Sequence, residues 1–234
     1  MNRYIGYAAM AASMVFVAYL SSARAHAAGW TGCHFGAHAG VAVANDKATL
    51  AFGGTSVQVD GFGAQGGQVG VGFGCDVTLD KFVFGAFGDA TWADTETKIS
   101  LTAPGGSAAI TQSFKDSYAL GGRAGILLTP AILAYGTGGR SWANTSDIVL
   151  TAPGGGGMIG LSRFEGWFVG GGLETHITPS LSIKTEYRWN RYDGQTVSLG
   201  GPSLTLEPDV HSVWVGLNWR FDANAKELIP SIKP

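Results

Sequence analysis

The chain has 234 residues, a formal net charge of −2 and 14% charged residues, whereas soluble domains average about 25%. This balance excludes the strongly basic surface that nucleic-acid binding requires. The sequence also lacks the CxxC, GxxxxGK[ST], HExxH and GxSxG motifs. These motifs mark the common metal-binding, nucleotide-binding and hydrolase sites. We therefore predict a protein that is not an enzyme and carries no metal or cofactor.

The N-terminus has the pattern of a secretory signal. Arg3 precedes an apolar run over residues 5–20, and the segment SSARAHAAGW follows it. Two overlapping small-x-small triplets, at 23–25 and 25–27, fit a cleavage site. We predict that residues 1–27 are a cleaved signal peptide; the alternative is a single membrane anchor. The rest of the sequence contains no stretch of about 20 apolar residues, so we predict no transmembrane helix after the signal peptide.

From Trp30 onward the dominant hydrophobic period is two, which is typical of β-strands. In the second run, for example, Val69, Val71 and Phe73 alternate with Gly70 and Gly72. The fifth run is less regular, with Leu133 and Tyr135 on one face and Gly136, Gly138 and Arg140 on the other. The eight alternating runs cover residues 33–43, 68–77, 82–92, 117–128, 132–142, 167–177, 181–189 and 212–221.

The two faces of these runs indicate where they lie. One face is aliphatic and aromatic, and the other combines glycine with charge. Glycine beside charge is unusual on a solvated surface, but inside a narrow barrel small residues leave room for long ionic side chains. We therefore predict that residues 28–221 form an all-β, eight-stranded, antiparallel up-and-down transmembrane β-barrel whose apolar face contacts lipid.

The hexapeptide LTAPGG occurs at residues 101–106 and again at 150–155. Glycine pairs recur about every fifty residues, with short Thr- or Pro-containing turns midway between them. Long connections alternating with short ones are typical of outer-membrane barrels. We predict four long external hairpin loops, with LTAPGG at the ascending end of a hairpin. The competing interpretation is a duplicated ligand-binding site.

Residue parity assigns a set of charges to the interior, and two turns suggest how they pair. Pairing about Pro179 places Glu174 opposite Lys184. Pairing about the tip at 105–106 brings Asp89 close to Arg123. This lumen charge network fits a plug, because eight strands enclose only enough space for side chains; an ion-conducting lumen is the alternative. Its members are Asp89, Arg123, Glu174, Lys184, Glu186, Arg188 and Arg220.

The two cysteines share the outward parity of the first two runs. A hairpin centred on Gly54 places Cys33 opposite Cys75, and the periplasm is oxidising. We predict a Cys33–Cys75 disulfide; the alternative is two free thiols facing lipid. His34 and His38 lie about 13 Å apart along a strand, too far to clamp one metal ion. Interface aromatics are expected near strand ends, at Trp92, Trp142, Tyr187, Trp189 and Trp219.

Several phrases resemble one known family. WTGCHFGAHAG, GGQVGVGFG, FVFGAFGD, GGRAGILLTPAILAYGTGG, EGWFVGGGLETHITPSLSIKTEYRW and VWVGLNWRF follow the order seen in porin-like outer-membrane immunogenic proteins. These surface-antigen barrels of Gram-negative bacteria are relatives of the OmpA-type eight-stranded barrel. The resemblance covers residues 30–221 and implies an outer-membrane location. Two features depart from the family: Phe87 stands where an acidic residue is usual, and residues 222–234 follow Phe221.

The resemblance implies that Phe221 serves as the terminal-strand insertion signal. It also implies contacts with outer-membrane lipid, lipopolysaccharide and the barrel-insertion machinery. Residues 222–234 contain two prolines and no periodicity, so we expect a flexible periplasmic tail. We predict an envelope-structural, surface-antigen role with the lumen plugged by paired charges. The alternatives are a narrow channel for ions or very small solutes and a loop-mediated adhesin. The loop sequences do not identify a ligand for such an adhesin.

Overall fold

The computed structural model describes residues 29–52, 54–103, 106–145, 148–152, 155–159, 163–198 and 203–221. The predicted signal peptide and the tail lie outside these residues. None of the described residues forms a helix long and apolar enough to cross a membrane. The strands are β1 (Gly32–Phe52), β2 (Thr55–Leu79), β3 (Phe82–Ala103), β4 (Gly106–Thr129), β5 (Ile132–Thr145), β6 (Ile148–Ala152), β7 (Gly155–Ile159), β8 (Phe164–His176), β9 (Leu181–Tyr192), β10 (Gln195–Ser198) and β11 (Ser203–Phe221).

Eight of these strands form the predicted closed barrel. In order around the wall they are β1, β2, β3, β4, β5, β8, β9 and β11, each antiparallel to the next. β11 returns to pair with β1, from Cys33 opposite Phe221 to Ala51 opposite Ser203. This closure gives each of the eight wall strands two neighbours, so the wall is a closed sheet without a free edge.

The strands extend well beyond the predicted runs at one end of the barrel. Trp92 is only the eleventh of the 22 residues of β3, and the β3–β4 ladder continues until Ala103 pairs with Gly106. The described residues of the first LTAPGG phrase, 101–103 and 106, lie along this ladder. Those of the second phrase, 150–152 and 155, lie in the β6–β7 hairpin, where Leu150 pairs with Gly157. The prediction that the phrase marks an ascending hairpin strand is therefore confirmed.

The opposite end of the barrel is closed by tight turns. They connect β2 to β3, β4 to β5 and β8 to β9. In the first of them Asp80 has a φ of 56°, a left-handed conformation that aspartate tolerates better than most residues. Short turns at one end and long hairpins at the other are the asymmetry that the glycine spacing predicts.

The large side chains of the outer face are exposed in the isolated chain, as a lipid-facing surface requires. Among them Val69 is 57% exposed, Leu120 63% and Trp219 61%. The fifth predicted run is inverted: Leu133 and Tyr135 are buried in the lumen, whereas Arg140 is exposed on the outer face. The reason is that Leu133 packs with Trp30 and Val83 in a small apolar cluster at the turn end.

Candidate functional site in the barrel lumen

The lower part of the lumen, near the tight turns, contains an ion-pair layer built from four strands. Arg123 on β4 donates two hydrogen bonds to Asp76, at 2.8 and 2.5 Å, and one to Glu174 at 2.7 Å. Arg220 on β11 donates to Asp76 at 2.9 Å, and its Nη2 lies 3.8 Å from Glu174. Glu174 is completely buried. Two further donors complete its shell, Ser182 at 2.5 Å and Asn218 at 2.9 Å.

A second ion-pair layer lies above the first and is centred on Arg188 of β9. Its Nη2 lies 2.7 Å from Glu186 and 3.1 Å from Asp89 on β3. Tyr135 donates its hydroxyl hydrogen to the other Glu186 oxygen at 2.9 Å. The side chain of Arg188 is only 3% exposed, so its charge is balanced inside the lumen rather than by solvent.

Aromatic rings from three other strands surround the Arg188 guanidinium. The ring centroids of Trp214, Phe168 and Phe87 lie 4.3, 4.4 and 5.5 Å from its central carbon. These distances are within cation–π range. His38 stacks on Trp214 with 4.2 Å between ring centroids. The rings and the ion pairs together occupy the interior of the barrel at this level.

Trp30 covers the lower mouth of the lumen, just before β1 begins. Its indole nitrogen donates to the carbonyl oxygen of Pro130 at 3.1 Å, and its own carbonyl oxygen accepts from Arg220 at 2.7 Å. The ring centroid lies 4.2 Å from that of His176. Trp30 is 2% exposed. The residue thus links the ends of three strands across the opening.

Two small cavities lie among the described residues of the lumen. A cavity of about 20 Å³ lies between the two ion-pair layers and is bordered by His34, His38, Asp89 and Asn218. A second cavity of about 40 Å³ lies nearer the long hairpins, beside Ala42, Gln68 and Tyr192. A space measured in this way needs about 10–15 Å³ to hold one water molecule. Each of these two cavities therefore has room for a few isolated waters.

The structure places the seven predicted lumen charges on the inner face of the wall, but their partners differ from the prediction. Lys184 lies opposite Glu174 as expected, yet the ion pairs of the described residues join Glu174 to Arg123 and Arg220. The predicted proximity of Asp89 and Arg123 is wrong, because Arg123 lies opposite Gly85. Sequence reasoning also missed Asp76, although its parity matches the inward glycines of the second run.

The outer wall carries the remaining predicted residues. The Cys33–Cys75 disulfide is present, which confirms that prediction. Trp92 is 48% exposed, and it lies at mid-strand rather than at a strand end. Tyr187 and Trp189 contact His211, Trp142 lies under Arg163 and Trp219 is near the turn end. Phe221 is the last residue of β11 and is 46% exposed.

No metal-binding cluster of three His, Cys, Asp or Glu side chains occurs within the described ranges. His34 and His38 both point into the lumen and are buried. His38 is 3.2 Å from the Thr91 hydroxyl. His34 lies 3.5 Å from Asp76. In this arrangement the two histidines are polar residues of the lumen packing.

Comparison with known proteins gives a consistent family. The family model for the outer membrane protein beta-barrel domain matches residues 12–221 of the sequence. No curated protein sequence matches the chain. OprG from Pseudomonas aeruginosa is similar at 15% identity and a TM-score of 0.55, over 82% of this chain and 98% of OprG. At that identity the likeness shows the fold alone.

Two other solved structures have lower TM-scores. Ail, the attachment invasion locus protein of Yersinia pestis, has 11% identity and a TM-score of 0.38, over 79% of this chain and 98% of Ail. The outer membrane protease OmpT from Escherichia coli has 9% identity and a TM-score of 0.43, over 80% and 97%. The family match covers the whole barrel. The chain is therefore a protein of the Gram-negative outer membrane and belongs to the outer membrane protein beta-barrel domain family.

Proposed function

We propose that this protein is a closed outer-membrane barrel that does not conduct ions and has an envelope-structural, surface-antigen role. The observation that carries the proposal is the pair of stacked ion-pair layers. Arg188 with its three aromatic rings forms the upper layer, and Asp76, Arg123, Glu174 and Arg220 form the lower one. A channel for ions or small solutes needs a continuous water path, and the cavity between these layers holds about 20 Å³.

The long hairpins support a role at the cell surface. The β1–β2 ladder extends until Phe52 pairs with Thr55, and half of β3 lies beyond Trp92. At about 3.3 Å per residue, that half of β3 is roughly 35 Å long. The wall therefore projects from the bilayer as paired β-structure, which favours presentation of a shaped surface. An adhesin that binds through these hairpins is compatible with the same geometry.

The ion pairs of the lumen also favour a protein that has no catalytic activity. Its acidic groups Asp76, Asp89, Glu174 and Glu186 are all held by arginines. Carboxylates fixed in this way are poor general bases, because their charge stabilises a neighbouring cation. We also propose that Phe221, which ends β11 with its ring exposed, is the signal read by the barrel-insertion machinery.

Conductance in planar lipid bilayers tests the proposal directly. The refolded protein is expected to insert without producing steady current steps in molar potassium chloride. Folding is verified on the same sample by the heat-modifiable shift on a denaturing gel, so a silent bilayer cannot be attributed to unfolded protein. Reproducible steps of one size in the wild-type protein would overturn the closed barrel and favour the channel.

A further inference from the structure

The arginines of the described residues divide into two groups. Three are buried in the lumen, and the other three are exposed on one side of the outer wall. The exposed arginines are Arg140 on β5, Arg163 immediately before β8, and Arg191 on β9. These strands are neighbours in the barrel, so the exposed arginines are concentrated on one part of the circumference.

The register places two of these arginines in one row across the wall. Arg140 lies opposite Trp167, and Trp167 lies opposite Arg191 on its other side. Two residue pairs further from the turns, Trp142 lies opposite Glu165. The Arg163 guanidinium is 5.8 Å from the Trp142 ring centroid. Arginine and tryptophan thus alternate on this surface.

The row lies at the outer edge of the hydrophobic band. Arg140 is the ninth residue of β5, which places it roughly 20 Å from the turn end for a strand tilted by about 40°. The lipid-facing band of outer-membrane barrels is about 25 Å tall. The aromatic residues Tyr118 and Trp142 pair with each other just above this row, as expected for an interface girdle. The phosphates of the headgroups therefore lie roughly 5 Å above Arg140, a gap that the long arginine side chain can span.

Arg140 lies between two uncharged residues in the register. Its neighbours in register are Leu120 and Trp167, and no ion pair of the described chain includes it or Arg191. Asp209 lies opposite Arg191 on β11, and Arg163 is 4.0 Å from Glu165. Arg140 is therefore the cation of this group whose charge is left for a ligand.

A furrow of small residues runs down the outer face below Arg140. On β5 the furrow contains Gly138 and Gly136, which lie between Arg140 and the turn end. It is flanked by Gly122 and Ala124 on β4 and by Gly171 on β8. A Cβ atom at Gly122, Gly136 or Gly138 would meet its nearest neighbour at 3.5, 3.8 or 3.4 Å, an ordinary contact. The backbone does not require glycine at these three positions. Their effect is to leave a shallow channel between exposed Leu120 and Val169.

We propose that Arg140 and Arg191 bind a phosphate group of the lipid A portion of lipopolysaccharide, with an acyl chain lying in this furrow. Arginine binds phosphate through two parallel charge-assisted hydrogen bonds. Trp167, between the two guanidinium groups, supplies an amphipathic surface at headgroup height. The site lies on the outer wall and is independent of whether the lumen conducts.

Binding of bisphosphorylated lipid A, compared with the same lipid A after enzymatic dephosphorylation, tests the site. The refolded protein in detergent is titrated with each lipid and followed by native mass spectrometry. The wild-type protein is expected to bind the phosphorylated form at least tenfold more tightly. Arg140→Gln should weaken that binding about tenfold or more, and adding Arg191→Gln should remove the preference for phosphate. Lys81→Gln, an exposed cation at the turn end, should change nothing.

Two outcomes would overturn the assignment. The first is equal affinity of the wild-type protein for the two lipids, a comparison that needs no variant. The second concerns the furrow: Gly138→Leu should weaken lipid A binding, because the new side chain occupies the acyl path. If Gly138→Leu instead splits a dimer into monomers and leaves lipid binding unchanged, this face is a contact between two copies of the chain. The gel shift verifies folding of each variant.

Discussion

Asp76 on β2 and Arg123 on β4 form a two-hydrogen-bond ion pair across the strand that separates them. The bonds are 2.8 and 2.5 Å long. Gly85 on β3 lies between the two residues, opposite Asp76 on one side and Arg123 on the other. A Cβ atom at Gly85 would collide with the Asp76 carboxylate. Because Gly85 has no side chain, the Asp76 carboxylate and the Arg123 guanidinium can approach each other across the inner face of β3.

Gly85→Ala is therefore expected to disrupt this ion pair and destabilise the barrel. Separating a buried ion pair costs up to about 3–5 kcal/mol, and urea unfolding followed by the gel shift measures the loss. Gly88→Ala on the outer face of the same strand is the matched control, because its Cβ would meet nothing closer than 3.5 Å. Equal destabilisation by both variants would contradict the role assigned to Gly85.

Arg188→Ala should open the upper layer of the lumen. It removes the side chain that fills the space between Phe168 and Trp214 and leaves Asp89 and Glu186 without their partner. Current fluctuations absent from the wild-type protein should appear in planar bilayers, and the unfolding free energy should fall by about 3–5 kcal/mol.

Arg191→Ala is the matched control for that experiment. It changes the same residue type on the same strand, but its side chain is exposed on the outer wall. The bilayer should stay silent with this variant. Silence from both variants, with both folded, would mean that Arg188 is not what closes the lumen.

The sequence predicts register well where a short turn joins two strands. The turn between β8 and β9 places Glu174 opposite Lys184 and Gly172 opposite Glu186, as predicted. The partners of Glu174 were not predictable in the same way, because Arg123 reaches it from β4, which is not adjacent to β8. Contacts across a narrow lumen depend on the closure of the whole barrel and not on one hairpin.

Long hairpins are harder to register, because a bulge shifts the pairing by one residue. The tip of β1–β2 pairs Phe52 with Thr55, and a shift between Asp46 and Lys47 then brings Cys33 opposite Cys75. The predicted centre at Gly54 gives the right pair because this shift compensates for it. The β3–β4 hairpin has a shift between Trp92 and Thr95. Its tip also pairs Ala103 with Gly106, so the centre of the hairpin lies one residue before the predicted one. The tip moves the register by two residues and the bulge by one more, which places Asp89 opposite Ala119.

The inverted β5 shows the limit of hydrophobic alternation. Leu133 and Tyr135 are apolar in pattern, and parity alone assigns them to the lipid face. Their partners lie elsewhere in the chain: Trp30 packs against Leu133, and Glu186 accepts the Tyr135 hydroxyl hydrogen. Alternation detects a strand with two different faces, but long-range contacts decide which face is enclosed.

Replacing the disulfide by Cys33→Ser and Cys75→Ser should lower stability without changing the fold. The bond links residues 42 apart in sequence, and a loop of that length corresponds to about 4 kcal/mol in the chain-entropy model. Urea unfolding of the wild-type protein with and without reductant should show a similar loss, whereas the double variant should not respond to reductant. A reductant-insensitive wild-type protein would contradict a stabilising role for the bond.

Trp30→Ala is expected to loosen the lower mouth of the barrel. The indole ring packs with Val83 and Leu133, donates to Pro130 and lies 5.4 Å from the Arg220 guanidinium. Removing a buried tryptophan costs about 3–5 kcal/mol, so the urea midpoint should fall markedly. Trp219→Ala is the matched control: its ring is 61% exposed on the lipid face and should contribute less. Hydrogen exchange supplies the second measurement. The Leu127 amide donates to the Lys81 carbonyl oxygen at the same mouth, so Trp30→Ala should speed the exchange of this amide. Trp219→Ala should leave its exchange rate unchanged. Equal effects of the two substitutions on both readouts would show that Trp30 does not close the barrel.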